Sequence, residues 1–95
     1  MRFQFEWDPD KAISNVRKHR VSFDEAAEVF LDPLAVTTAD IAHGEMEERW
    51  VTVGAVRNRY LLVVAHTWRE STETVHIRII SARPATNHET RQYQG

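Results

Sequence analysis

Apolar residues follow two rhythms along this chain, and the change falls before its middle. "RFQFEW" alternates Phe3, Phe5 and Trp7, the period-2 signature of a short strand with one face in a core. "DPDKAISNVRKH" shifts to helical spacing. Asp8 is its N-cap, Pro9 takes the first helical position, and Ala12, Val16 and His19 share a face with Ile13 beside them. On the same helix Lys11, Asn15 and Lys18 form a separate stripe at i, i+4, i+7. "VSFDEAAEVFLDP" predicts a second helix opened by a capping box, Ser22 with Glu25. Phe23, Ala26, Ala27 and Phe30 form its buried face, and Pro33 ends it.

Beyond Pro33 the period becomes two. "LAVTTAD", "RWVTVGAV", "RYLLVVAHTW" and "ETVHIRIISA" read as four strands. An acidic loop, "IAHGEMEE", follows the first. "RNR" joins the second to the third, with Asn58 suited to the positive φ of a tight hairpin, and "REST" turns the chain into the fourth. Thr86 and Glu89 form another capping box, so "NHETRQY" should be a short terminal helix. The order β-α-α-β-β-β-β-α, with hairpin-length links, implies an α+β fold. One mainly antiparallel sheet carries helices on one face and leaves the other partly open. Residues 1–95 read as a single domain without repeats or flexible linkers.

The chain has no cysteine, which excludes a thiol nucleophile, a disulfide and a thiolate metal site. No stretch approaches the roughly 18–20 apolar residues of a membrane span, and "MRFQFEWD" lacks a signal peptide's apolar run. A soluble cytoplasmic protein with no membrane partner is expected. The net charge of −2 hides an asymmetry. Residues 1–48 hold five Lys/Arg against eleven Asp/Glu, net −6, while residues 49–95 hold seven Arg, no Lys and three Glu, net +4. Arginine's planar fork grips phosphate or carboxylate at two points and stays charged at any working pH. The balance argues against a general nucleic-acid coat but permits a focused anion site.

The fourth strand sharpens that idea. Val75, Ile77 and Ile79 alternate inward, which leaves His76 and Arg78 on the opposite face of the most apolar strand. Arg49 and Arg69 at strand ends, Arg83 at the strand's exit and Tyr93 on the last helix could converge with Arg78 there. Strict parity puts Arg83 opposite Arg78, although pairing ends at Pro84 and parity is a poor guide so close to it. The plainer alternative is surface ion pairing with Glu47, Glu48, Glu70 and Glu73, each worth about 0–1 kcal/mol. His19 is either a packed helix-end histidine or a proton carrier. Lys11 and Lys18 are either a solvated face or a phosphate ladder. His66 and His76 fall on adjacent strands as possible cross-strand neighbours, but no motif spacing supports a metal site there. His43 among Glu45, Glu47 and Glu48 reads as a solvated loop. A glycine-rich phosphate loop and a nucleophile elbow are both absent.

"FEWDPDKAISNVRKH", "VSFDEAAEVFLDP", "HGEMEERWVTVG" and "IRIISARPATNHETRQY" together resemble the BrnT toxins of bacterial type II toxin–antitoxin systems. The likeness runs from Phe5 to Tyr93. Its most specific parts are the opening aromatic-acidic strand, Glu47-Glu48-Arg49, and Ile79-Ile80-Ser81-Ala82-Arg83 followed by Glu89, Arg91 and Tyr93. The resemblance implies a RelE-like fold and a ribonuclease that halts translation. It also implies neutralisation by a BrnA antitoxin with a ribbon-helix-helix DNA-binding domain, the pair repressing its own operon as a heterotetramer that meets operator DNA only through the antitoxin. Two positions depart from the family pattern. Arg20 stands where Gly usually follows the Lys-His pair, so the first helix is expected to end differently, and Gly44 stands where serine is common.

Cleavage of RNA without a metal or other cofactor needs a base for the 2′-hydroxyl, a stabiliser of charge on phosphorus and an acid for the 5′-oxygen. Arg78, Arg83 and Arg49 suit the second task, since arginine is no base at neutral pH. His19, Glu48 and Tyr93 are the candidates for proton transfer, His19 foremost, with Tyr93 better suited to donating a hydrogen bond or stacking on a base. Lys11, Lys18, Arg69 and His76 are the candidates for holding RNA. Two other readings compete: an inert co-repressor module of the same fold, and a simple RNA-binding domain.

Overall fold

The computed structural model describes residues 2–40, 48–58 and 60–94. Most of the acidic loop, including His43, Gly44, Glu45 and Glu47, lies outside the described residues.

Strand β1 (Arg2–Glu6) leads into helix α1 (Pro9–His19) and the short helix α2 (Phe23–Ala26), which tightens into a 3₁₀ turn (Ala27–Leu31). Then come β2 (Val36–Ala39), β3 (Trp50–Ala55), β4 (Leu61–His66), a two-residue β5 (Arg69–Glu70), β6 (Thr74–Pro84) and α3 (Asn87–Gln94). All the expected elements are present, and β5 is an addition within the "REST" turn. The sheet runs β1-β6-β4-β3-β2, with β5 continuing the line of β4 along the same side of β6. Every pairing is antiparallel except β1 with β6, which is parallel. No helix among the described residues is long and apolar enough to cross a membrane.

Local capping fixes the helix starts. Asp8 accepts from Asp10 N–H at 2.8 Å, and Ser22 Oγ accepts from Glu25 N–H at 3.1 Å. The Glu25 carboxylate does not complete the box; it accepts instead from the Tyr60 hydroxyl. At Thr86 the box closes in both directions with Glu89.

The second helix buries Phe23, Ala26 and Val29, not Ala27 and Phe30, which are only half-buried. The 3₁₀ turn has three residues per turn, so its inward positions recur every third residue. These side chains meet Leu62, Val64, Val75, Ile77, Ile79 and Ala82 from the sheet in one core.

Helix α1 is rolled differently from the expected Ala12–Val16–His19 face. Asn15 is its buried residue, at 5% exposure. Beyond Arg78, β6 has lost β1 as a neighbour, and the Asn15 amide takes the vacant place. Its Nδ2 donates to Ala82 O (2.8 Å) and Val21 O (2.9 Å), and its Oδ1 accepts from Ala82 N–H (3.0 Å). A backbone edge that would otherwise be buried unsatisfied is thereby paired.

The helix ends in the left-handed conformation after all: Arg20 has φ 60° and ψ 28°, and its N–H donates to Val16 O. Arg20 is the only non-glycine with positive φ among the described residues, so Asn58 does not supply one at its hairpin.

A β-bulge resolves the parity of β6. His66 pairs with Ile79 but Ala65 pairs with Ser81, leaving Ile80 as the extra residue. Buried positions accordingly run Val75, Ile77, Ile79, then Ala82. The shift returns Arg83 to the same face as Arg78. The two histidines separate instead: His66 is fully buried on the core face, edge-on to Phe30 and bonded to Thr52, while His76 pairs with Arg69 on the other side.

Candidate active site

The face of the sheet opposite α1 and α2 carries an open pocket lined by Glu6, Glu48, Thr67, Trp68, Arg69, His76 and Arg78. Its position follows from strand pairing. Phe3 and Phe5 pack into the core, so Glu6 points the other way, and the parallel register sets Glu6 beside Arg78 and Gln4 beside His76. On the opposite side of β6, the break between β4 and β5 supplies Thr67 and Trp68. Arg78 N–H donates to Thr67 Oγ1 (3.2 Å), and Thr67 N–H donates to Arg78 O (3.0 Å). Beyond the break, Arg69 pairs with His76. The Trp68 indole packs edge-on against Phe3 and donates its N–H to Glu70 (3.2 Å).

Arg49 stands just before β3, in the row next to Trp50, His66 and Ile79. That row puts it two strands from Arg78, on the order of 10 Å away. Its Nε is buried and has no hydrogen-bond partner among the described residues. Glu48, next to it, reaches the pocket itself. Two guanidiniums and a histidine thus share the pocket with two carboxylates. The mixture offers anion binding and proton acceptance within one cleft.

Other expected site residues lie elsewhere. Arg83 shares the face of Arg78 but stands about four strand rises along it, on the order of 13 Å. Its fork is engaged by the Glu89 carboxylate through two bonds of 2.8 Å. The Arg83 bond, with those from Thr86, holds the Glu89 carboxyl down at about 2 despite partial burial. Tyr93 donates to Asp32, which raises the phenol further above its ordinary value. Burial alone would raise the Asp32 carboxyl, but hydrogen bonds from Ala55 N–H, Tyr93 OH and Leu34 N–H outweigh it and hold it low. These contacts tie α3 across the end of the sheet, so the single helical layer expected from the sequence holds α1 and α2 only. His19 is half-buried at the end of α1, while Lys11 and Lys18 are exposed on that helix, and none of the three lines the pocket. Among the described residues no three His, Asp or Glu side chains gather as a metal-ligand set.

The family model described as "Ribonuclease toxin, BrnT, of type II toxin-antitoxin system" matches residues 7–89. The chain belongs to the BrnT toxin family. BrnT from Brucella abortus, a ribonuclease toxin known from a 1.1 Å crystal structure, has the same fold. The two superpose with a TM-score of 0.64 at 22% identity, over 92% of this chain and 100% of that one. No curated protein matches the chain in sequence. As a BrnT-family toxin of a type II system it has RNA as its substrate and an antitoxin as its partner.

In this BrnT-family chain the sequence reading had already singled out four of the pocket's residues, Glu48, Arg69, His76 and Arg78. It missed Glu6, Thr67 and Trp68. For Glu6 half the signal was available, since alternation with Phe3 and Phe5 turns it outward. The parallel pairing that brings it to Arg78 has no local signature.

Proposed function

We propose that the chain is a metal-independent endoribonuclease that cuts RNA in the pocket around Arg78. The reading is carried by one observation: Arg78, Arg69 and His76 share an open cleft with the carboxylates of Glu6 and Glu48. In this scheme Glu48 takes the proton from the 2′-hydroxyl, whose oxygen attacks the adjacent phosphorus. The bond from phosphorus to the 5′-oxygen breaks, and His76 delivers a proton to that leaving oxygen. Histidine suits the step because an imidazole ring nitrogen can carry a proton and hand it on. Arg78 and Arg69 neutralise the charge that gathers on phosphorus, with Arg49 adding positive potential along the row. Glu6 orients Arg78 from the neighbouring strand, and the Trp68 ring offers a platform for a base. Arg83 and Tyr93 act through α3, which they fasten to the sheet, and His19 takes no proton in this scheme. The biological setting we propose is a RelE-like toxin of the cytoplasm that halts translation. A BrnA-like ribbon-helix-helix antitoxin neutralises it, and a heterotetramer of the two binds operator DNA through the antitoxin.

The test is cleavage of ribosome-free RNA by purified protein in the presence of a chelator. Arg78→Ala should lower the rate by about 10²–10³ with the fold intact, and His76→Ala should remove its share of proton transfer, about 10²–10⁴. Undiminished cleavage by a folded Arg78→Ala protein refutes the assignment, and cleavage abolished by the chelator refutes metal independence.

A further inference from the structure

The outer side of α1 carries a surface that the pocket does not use. Because Asn15 turns inward, Ile13 and Val16 turn outward and remain 57% and 43% exposed. Helical spacing places Ile13, Val16, Arg17 and Arg20 along one ridge at i, i+3, i+4, i+7, while Lys11 and Lys18 lie on the Asn15 side of the helix, away from it. Residues 11–20 hold four cations and no acidic residue, although the first 48 residues are net acidic. Asp8 and Asp10 are confined to the start of the helix, and none of the four cations makes an ion pair among the described residues. Arg20 sharpens the point. It holds a side chain in the left-handed region, where glycine would be unstrained, so a cation stands there at the expense of folding.

A nucleic acid would satisfy the charges but would leave the two aliphatic side chains wet. A protein segment with an apolar stripe and acidic margins satisfies both. We propose that this ridge is the docking site of the antitoxin, which lays an acidic amphipathic helix along α1. Its apolar residues cover Ile13 and Val16, and its carboxylates meet Arg17 and Arg20. The proposal rests on membership of a toxin–antitoxin family and not on the roles assigned within the pocket.

The test is calorimetric titration of the cognate antitoxin into the toxin, with Arg78→Ala as the background so that the protein can be made alone. Either Ile13→Ser/Val16→Ser or Arg17→Glu/Arg20→Glu should weaken binding by about tenfold or more. All four positions are exposed, and an unchanged thermal melt separates lost docking from lost folding. In cells, with Arg78 restored, the Ile13→Ser/Val16→Ser toxin should still arrest growth but should no longer be relieved by co-expressed antitoxin. Affinity within about twofold of the unaltered ridge for both doubles overturns the proposal. So does loss of RNA binding by the Arg17→Glu/Arg20→Glu protein with antitoxin binding intact, which would make the ridge a nucleic-acid surface. The titration reads the ridge whether or not the unaltered chain cuts RNA, so a failed ribonuclease assignment is seen separately.

Discussion

Replacing Asn15 by alanine removes a side chain that makes three hydrogen bonds of 2.8, 2.9 and 3.0 Å at 5% exposure. An ordinary hydrogen bond contributes about 0.5–1.5 kcal/mol net, and a buried group left without a partner costs about 1–3 kcal/mol. Here the partners are the N–H and C=O of Ala82 and the C=O of Val21, all backbone groups that stay where they are. The expected loss is therefore about 3 kcal/mol, a large fraction of the roughly 5–14 kcal/mol that a chain of this size commands. Asn15→Asp should do no better at neutral pH, because it keeps the acceptor for Ala82 N–H but turns a carboxylate oxygen towards two carbonyls. Urea unfolding followed by tryptophan fluorescence measures the loss directly. Val16→Ala is the comparison, since the helical pattern alone makes Val16 the inward residue. With Val16 43% exposed, its truncation should change stability by about 0.5 kcal/mol or less. If Val16→Ala costs more than Asn15→Ala, α1 is rolled the other way and the reasoning fails, taking the exposed ridge with it.

Arg20→Gly should stabilise the protein. It removes roughly 1–2 kcal/mol of left-handed strain and returns part of that as glycine's greater freedom when unfolded, a net gain of about 0.5–1 kcal/mol. A melting temperature that fails to rise contradicts this. Gly54→Ala should destabilise by about 1–3 kcal/mol, because a Cβ there would sit 2.9 Å from Val29 Cβ, 3.0 Å from Val29 O and 3.2 Å from Ala35 Cβ. A denaturation midpoint equal to that of the unaltered chain would show the space to be wider. The Glu89 carboxyl, bonded by Arg83, should titrate near 2 and not near its ordinary 4.5. A carboxyl lowered on folding lends stability above its unfolded value and loses it as pH falls, here between about 4.5 and 2. Carbon-detected NMR of the Glu89 carboxyl reads the midpoint, and a value near 4.5 would mean that the pair with Arg83 is not held in solution.

What could be read from the sequence was local. The caps at Asp8, Ser22 and Thr86 were legible because donor and acceptor lie within three residues of each other, so composition and spacing suffice. The strands were legible from alternation for the same reason. The roll of α1 was not, because Ala82, the group that draws Asn15 inward, is 67 residues away. Nor was the tightening at Ala27. Periods of 3.0 and 3.6 agree over one turn, at Phe23 and Ala26, and diverge only at Val29 against Phe30. The partners of the arginines were the least legible of all. Each guanidinium can meet any carboxylate the fold brings near: the turn from β6 into α3 brings Glu89 to Arg83, and long-range strand pairing sets Glu6 beside Arg78.

The bulge at Ile80 connects these failures. Uninterrupted alternation from Ile79 would put Arg83 on the core face with Val75 and Ile77, where a guanidinium would lie beneath α1 and α2 at a penalty of several kcal/mol. One extra residue reverses the parity. It places the small Ala82 inward, with its backbone groups turned to Asn15, and sends Arg83 out to Glu89. The arginines of the second half then divide in two. Arg78 and Arg69 lie in a cleft with carboxylates and a histidine, while Arg83 becomes the anchor of α3. Shared facing is therefore not a shared neighbourhood on this sheet. Position along β6, on one side or the other of a single inserted residue, separates the arginines that face the pocket from the one that holds the end of the chain in place.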